Sequence, residues 1–342
     1  MDLFQRINEK AYIIAEMSGN HAGDRNRAME IVHAAAEAGA DCIKIQTYTP
    51  DTMTIDVNNE YFNIKSGTWD GENLYHLYEK AGTPWEWQAD IKAEAEKVGI
   101  DFLSTAFDST SVDFLEELGL EFYKIASFEL TDLPLLRYVA STKKPMIVST
   151  GMARYDEIRE AVDTIRQAGN KQLVLLKCSS DYPAVTGEMN LRTMVDLGRS
   201  FDVPYGLSDH SMGSLGAVAA VAMGAKVIEK HFCISRKIKN PDSSFSMEPE
   251  EFKKMVEDIR TVELAMGEVT YGPSEREEAN LRFRRSVFCV KDIASGEKIT
   301  KEHVRIIRPG YGMEPKYIDE IIGKTAKKDI LRGMPMSRDL FE

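Results

Sequence analysis

The chain contains no C-x-x-C pair. Its four cysteines, Cys42, Cys178, Cys233 and Cys289, are scattered over 342 residues. Isolated thiols, with Cys42 and Cys178 in or beside apolar runs, read as reduced and buried, not as disulfides or a zinc–thiolate site. Long apolar runs are missing too. The least polar stretch, GAVAAVAMGA at 216–225, is too short to span a bilayer, and the opening MDLFQRINEK is charged where a secretory signal would be apolar. A soluble, cytoplasmic protein is expected. Positive charge is in deficit: 43 Lys and Arg against 55 Asp and Glu give a net charge of −12, which excludes a general affinity for nucleic acid or an anionic membrane. Any anionic ligand must be held by local cations. Glycine-rich nucleotide loops are also lacking. GKT at 323–325 has Ile318 where a Walker A loop needs glycine, and no G-x-G-x-x-G follows a strand-like run.

What the chain does have is a repeating alternation. Apolar runs of strand length occur at 11–17, 41–47, 101–106, 121–127, 145–150, 173–179, 204–209 and 226–232, and segments with helical spacing lie between them, such as 25–39, 86–99, 155–169 and 214–225. Eight such units predict a closed (β/α)8 TIM barrel of parallel strands. Two loop-like insertions, 48–84 after the second strand and 233–249 after the eighth, should overhang one rim. After a last barrel helix near 249–266 comes a linker rich in Gly, Pro and charge, 267–282, and then a small module over 283–342 with short alternating runs and Gly-marked turns, which predicts a β-rich C-terminal domain.

Residues at the C-terminal ends of barrel strands face the catalytic mouth. Read this way, the runs offer Glu16, Lys44 with Gln46, Thr105, Lys124 with Ser127, Ser149 with Thr150, Lys177 with Ser179, Ser208 with His210, and Glu229 with His231. Period-two pairs such as Lys44/Gln46 and Glu229/His231 share one strand face. Polar groups at that depth are costly unless they serve a ligand. Only six histidines exist, yet His210 and His231 end neighbouring strands 21 positions apart. Two neutral imidazoles so placed suit one divalent cation such as Mn²⁺ or Zn²⁺; the alternative is a hydrogen-bonded rim histidine or a general base. Lys44 and Lys124, interspersed with hydroxyls, suit a small phosphorylated ligand, or else a structural pair with Glu16 or Glu129.

Taken in order, IAEMSGNHAGDRNRAMEIVHAAAEAGADCIKIQTYTP, YKIASFEL, IVSTGMA, LLKCSSDYP, GLSDHSMG and VIEKHF resemble the sialic acid synthase family, over nearly the whole chain. Members condense phosphoenolpyruvate with an acetamido-sugar to give a nine-carbon 2-keto acid. The resemblance implies that Lys44, Thr105, Lys124, Ser127, Ser149 and Ser208 hold phosphoenolpyruvate. It also implies that His210 and His231 ligate Mn²⁺, with Mg²⁺ or Co²⁺ as substitutes, to polarise the sugar aldehyde. By the same resemblance Glu16 and Glu129 are expected at catalytic positions, and Gln46, Tyr182 and Asp242 on the sugar side. The tail is similar to the antifreeze-like (SAF) domain of these synthases, RPGYG at 308–312 matching its best-marked loop. Arg308 then corresponds to an arginine that one subunit of a homodimer inserts into its partner's active site.

Within the family, KIQTYTP, TPWEW and NPDSSFSMEP look more like the pseudaminic acid branch than the N-acetylneuraminate or legionaminate branches. Phe245 and Met247 near the pocket would suit the methyl group of 2,4-diacetamido-2,4,6-trideoxy-L-altrose. A different chemistry on the same barrel is a Schiff-base aldolase using Lys124 or Lys177. A non-enzyme reading makes the barrel an inert scaffold for a carbohydrate-binding tail.

Overall fold

A computed structural model describes residues 2–342. Eight parallel strands close into a barrel in sequence order: β1 Tyr12–Glu16, β2 Cys42–Thr47, β3 Asp101–Ala106, β4 Tyr123–Ile125, β5 Met146–Ser149, β6 Leu173–Cys178, β7 Tyr205–Asp209 and β8 Val227–His231. Each of the eight expected runs contains one of these strands. The connecting helices begin where the chain supplies a capping group, as Asp24 does for Arg25–Glu37 and Asp108 for Ser109–Glu117. Gly99, in the left-handed region at φ 84°, ends Trp85–Val98.

Parity along the strands divides the side chains into two sets. One set, including Ile13, Ile43, Phe102, Ile125, Val148, Leu175, Leu207 and Ile228, packs against the helices in the main core. The other points into the barrel, where Tyr12, Ile14, Cys42, Leu103, Phe122, Ile147, Val174, Leu176 and Val227 fill the lower half. The N-terminal helix Leu3–Glu9 plugs that end with Leu3 and Ile7. At roughly 1.5–3 kcal/mol for each fully buried large aliphatic side chain, this lower storey is a stability element. The upper half of the same interior carries the polar residues.

The insertion after β2 is not all loop. Asn73 accepts from the backbone N–H of Tyr75 and starts a helix, Leu74–Ala81, and a short helical turn spans Pro50–Met53. The sequence reading missed these because Asn, Gly and Thr dominate the segment, although an asparagine preceding LYHLYEKA is a helix-start signal. Between them an antiparallel Asn63–Asn73 bridge makes a hairpin.

The chain divides into two compact units, 1–267 and 268–342. The second has its own core, with Val287, Cys289, Ile293, Ile299, Val304, Ile321, Ile330, Met336 and Leu340 at its centre. Its regular strands are β9 Ser286–Cys289 and β10 Val304–Ile307, paired antiparallel. The rest of its β structure is isolated bridges such as Ile293–Ile330 and Ala326–Phe341. Among the described residues no helix is long and apolar enough to cross a membrane.

Candidate active site

The upper storey of the barrel is built from residues that follow the inward parity of the lower one. Register partners run Lys44–Glu16–His231 across β2, β1 and β8, Gln46–Thr105–Lys124 across β2, β3 and β4, and Cys178–Ser208–Glu229 across β6, β7 and β8. All are buried except Gln46, which is partly so.

At the centre lies a charge quartet. Lys44 Nζ is 2.6 Å from Glu16 Oε2 and 3.5 Å from Glu229 Oε1, and it donates to Thr105 Oγ1 at 3.1 Å. Lys124 Nζ is 3.7 Å from Glu229 Oε2 and donates to the carbonyl of Ile125 at 3.1 Å. The expected pairing of Lys44 with Glu16 is present; Glu229, not Glu129, is the second partner of Lys44 and the carboxylate partner of Lys124. Burial lifts the Glu16 carboxyl against the pull of Lys44. In Glu229 the effect of burial is outweighed by Lys124 and Lys44, which hold it below the ordinary carboxylate range. Burial lowers Lys124, whereas Glu16 and Glu229 overcome burial and keep Lys44 high.

Around the quartet lie hydroxyls in different states. Ser208 Oγ donates to Glu229 Oε1 at 3.4 Å, and Ser127 Oγ accepts the backbone N–H of Gly151 at 3.0 Å. A Cβ on Gly151 would sit 2.1 Å from Ser180 Oγ and 2.8 Å from Ser127 Oγ, so any other residue here would displace both hydroxyls. Ser149 Oγ, Glu129 Oε2 and His231 Nδ1 are buried with no hydrogen-bond partner. Orphaned buried polar atoms are rare in folded proteins, and a group of them in one barrel mouth marks a place built for a ligand.

The rings of His210 and His231 are 5.3 Å apart, centroid to centroid. The Nδ1 of His210 lies 2.9 Å from the carbonyl of Ser179, which orients the ring with a proton on Nδ1; Nε2 carries a free lone pair only once the imidazole is neutral. Burial, then the positive charges of His210 and Lys44, hold His231 neutral, well below its ordinary range. Cys178 Sγ lies 3.8 Å from His210 Nδ1. Burial raises that thiol, but His210 draws it down to about 6, and Cys178 in turn raises His210. Cys178 is free and buried as expected, and it lines the mouth beside His210.

These two imidazoles fit a divalent ion bound by two protein ligands, with the remaining positions open to oxygen ligands from outside the protein. Among the described residues no set of three or more His, Cys, Asp or Glu side chains is grouped to hold an ion.

The outer wall is aromatic. The Tyr182 ring lies 4.2 Å from that of His210, 5.3 Å from Phe245 and 5.4 Å from Trp69, and Phe245 packs edge-on against His231 at 4.9 Å. Phe245 thus lies beside the pocket as expected, while Met247 packs into the strand–helix core. The β2 hairpin reaches this wall through two bonds, Trp69 Nε1 to the carbonyl of Pro241 at 2.9 Å and Thr68 Oγ1 to the carbonyl of Tyr182. Gln46 Nε2 donates to Glu16 Oε1 and Ser18 Oγ, each at 2.9 Å. Asp242 accepts from the Gly19 N–H at 2.9 Å, and burial raises its carboxyl. Glu129, on the turn after β4, is raised to about 7, by burial and against the pull of Lys124.

One strand-end residue faces away from the mouth, and Arg308 sits in the second unit. Lys177 pairs in register with the helix-facing Leu207 and donates to the carbonyl of Cys178 at 2.7 Å, so it faces away from the interior. Arg308 is exposed on the turn after β10 in the second unit, and among the described residues no carboxylate pairs with it. Sequence reasoning had not given roles to Glu229, Cys178 or Trp69. For Glu229 the signal was available, as the period-two neighbour of His231.

Comparison with known proteins matches residues 31–271 to the NeuB family and 284–342 to the SAF domain. The chain is 44% identical to the pseudaminic acid synthase of Campylobacter jejuni subsp. jejuni serotype O:2, over 98% of each chain. It is 43% identical to the pseudaminic acid synthase of Helicobacter pylori, over 96% of this chain and 97% of that one. A crystal structure of the N-acetylneuraminic acid synthetase of Leptospira borgpetersenii serovar Hardjo-bovis, in complex with citrate, superposes with a TM-score of 0.72 at 31% identity, covering 81% of this chain and 92% of that one.

Proposed function

The chain belongs to the NeuB family, and on that premise we propose that it is a pseudaminic acid synthase, a transferase condensing phosphoenolpyruvate with a diacetamido-trideoxy sugar and releasing phosphate. The observation that carries the reading is the juxtaposition of two buried lysines with a pair of imidazoles in one mouth. Phosphate and carboxylate need Lys44 and Lys124, and the hydroxyls of Thr105, Ser127, Ser149 and Ser208 complete the shell. Ser149 Oγ has no partner in the protein and is free to donate to the substrate.

His210 and His231 hold a divalent ion, Mn²⁺ by preference, with Mg²⁺ or Co²⁺ able to replace it. Once bound, that ion supplies Lewis acidity toward the sugar carbonyl. The chain itself does the rest. The Ser179 carbonyl orients His210, and Gln46 and Ser18 hold Glu16 at the edge of the sugar site. Glu129, about half protonated near pH 7, is placed to accept or return a proton as water adds to the substrate. Tyr182, Phe245 and Trp69 give the sugar an apolar wall, which suits a methyl better than a hydroxyl, because a hydroxyl there would lose its water without gaining a partner. Arg308 acts in trans, from the second unit of a partner subunit in a homodimer.

The test is a substrate panel with purified protein and Mn²⁺. Phosphate and a nine-carbon keto acid should appear with the diacetamido-trideoxy sugar. Turnover with N-acetylmannosamine alone would move the chain to another branch of the family.

A further inference from the structure

The two histidine-bearing stretches, GLSDHS and VIEKHF, each carry a charged residue just before the histidine, and neither Asp209 nor Lys230 has a part in the chemistry above. They are direct register partners on β7 and β8. Lys230 Nζ donates to Asp209 Oδ2 at 2.8 Å, with side chains exposed by only 1% and 0%. Lys230 also donates to the carbonyl of Ser211, while Asp209 Oδ1 accepts the backbone N–H of Ser211 at 2.8 Å and its hydroxyl at 2.6 Å.

The side of the strands they occupy is the unexpected part. Among the described residues, the buried Glu16, Lys44, Lys124 and Glu229 point into the barrel. On the strands only Asp209 and Lys230 bury full charges toward the helices, where Leu207 and Ile228 precede them in the apolar core. A buried pair at such a position is a weak stabiliser compared with apolar side chains of similar volume. What it supplies is geometry. Its bonds tie the end of β7, the turn at Ser211 and the end of β8 into one unit, one residue before each imidazole.

We propose that the Asp209–Lys230 ion pair is a positioning element that sets the separation of His210 and His231 and thereby the affinity of the mouth for a divalent cation. The inference rests on the two-histidine metal reading given above. The test uses the full-length chain stripped of metal, with free Mn²⁺ counted by electron paramagnetic resonance. The double variant Asp209→Leu/Lys230→Met removes both charges without leaving either unpaired, and Lys230→Arg keeps the pair. The double variant should melt within a few degrees of the parent and bind phosphoenolpyruvate without metal as the parent does, yet bind Mn²⁺ roughly 10- to 100-fold more weakly; Lys230→Arg should recover most of that loss. Mn²⁺ affinity within twofold of the parent in the folded double variant overturns the proposal. So does failure of the double variant to fold, which would assign the pair to stability. A parent chain that binds no Mn²⁺ would sink the metal reading itself, a separate result.

Discussion

Glu16 Oε2 lies 2.6 Å from Lys44 Nζ, with both side chains buried. The lysine expected to meet the substrate phosphate is therefore already neutralised by a carboxylate, and the two must part or share when an anion arrives. Glu16→Gln keeps the shape and removes the competing charge. Phosphoenolpyruvate should bind as tightly as before or up to a few-fold tighter, while turnover falls by about 10²-fold or more. A weakened phosphoenolpyruvate affinity in calorimetry would show that Glu16 helps to hold that ligand and does not compete with it.

His231→Ala should abolish Mn²⁺ binding and reduce turnover by several orders of magnitude, with little loss of phosphoenolpyruvate affinity measured without metal. EDTA should do the same to the parent, reversibly on adding Mn²⁺. Activity undiminished by both treatments would favour the aldolase alternative. Borohydride trapping on the buried Lys124 would then decide it, since Lys177 faces the helices.

Glu129 gives a pH dependence of defined sign. Its folded value is raised from 4.5 to about 7, so the folded state takes up a proton that the unfolded state does not. The associated stability is fully present below 4.5 and is lost as pH rises through 7. The loss is about 3 kcal/mol. Glu129→Gln should consequently melt higher than the parent at pH 8 and match it at pH 4.5. His21, held down at about 4 by burial, works the other way below 6.5, which is why the comparison must be variant against parent. Equal melting temperatures at pH 8 would mean that Glu129 is not strained in the ionised form.

Trp69→Phe keeps the ring beside Tyr182 and deletes the donor to the Pro241 carbonyl. One hydrogen bond of about 1 kcal/mol corresponds to roughly fivefold in affinity. The KM for the sugar should rise by that factor while the KM for phosphoenolpyruvate stays fixed, because Thr68 and Trp69 bond to the loops after β6 and β8. A parallel rise in both would locate the effect in the barrel interior.

Where one strand face is polar and the other apolar, the sequence was sufficient to place the residues. Lys44 with Gln46 and Glu229 with His231 were legible because two polar residues at period two near the end of an apolar run share one strand face. Strand six was not legible: in LVLLKCS both faces are buried, and the lysine attracts attention although the cysteine faces inward. Phe245 and Met247 look equivalent in a loop, yet Met247 bonds its N–H to the His231 carbonyl and turns its side chain into the core. Contacts made by the insertion, Trp69 above all, join residues about 170 positions apart and have no local signature.

The quartet of Glu16, Lys44, Lys124 and Glu229 has a further consequence. Two ammonium and two carboxylate groups cancel, so a multiply charged anion entering the mouth has no surplus counter-charge waiting for it. On the proposed reading its arrival would draw in protons or a divalent cation, and by thermodynamic reciprocity each cargo would strengthen the other by the same factor. Loading this barrel would then be a joint event, in which occupancy by one species is read as affinity for the next.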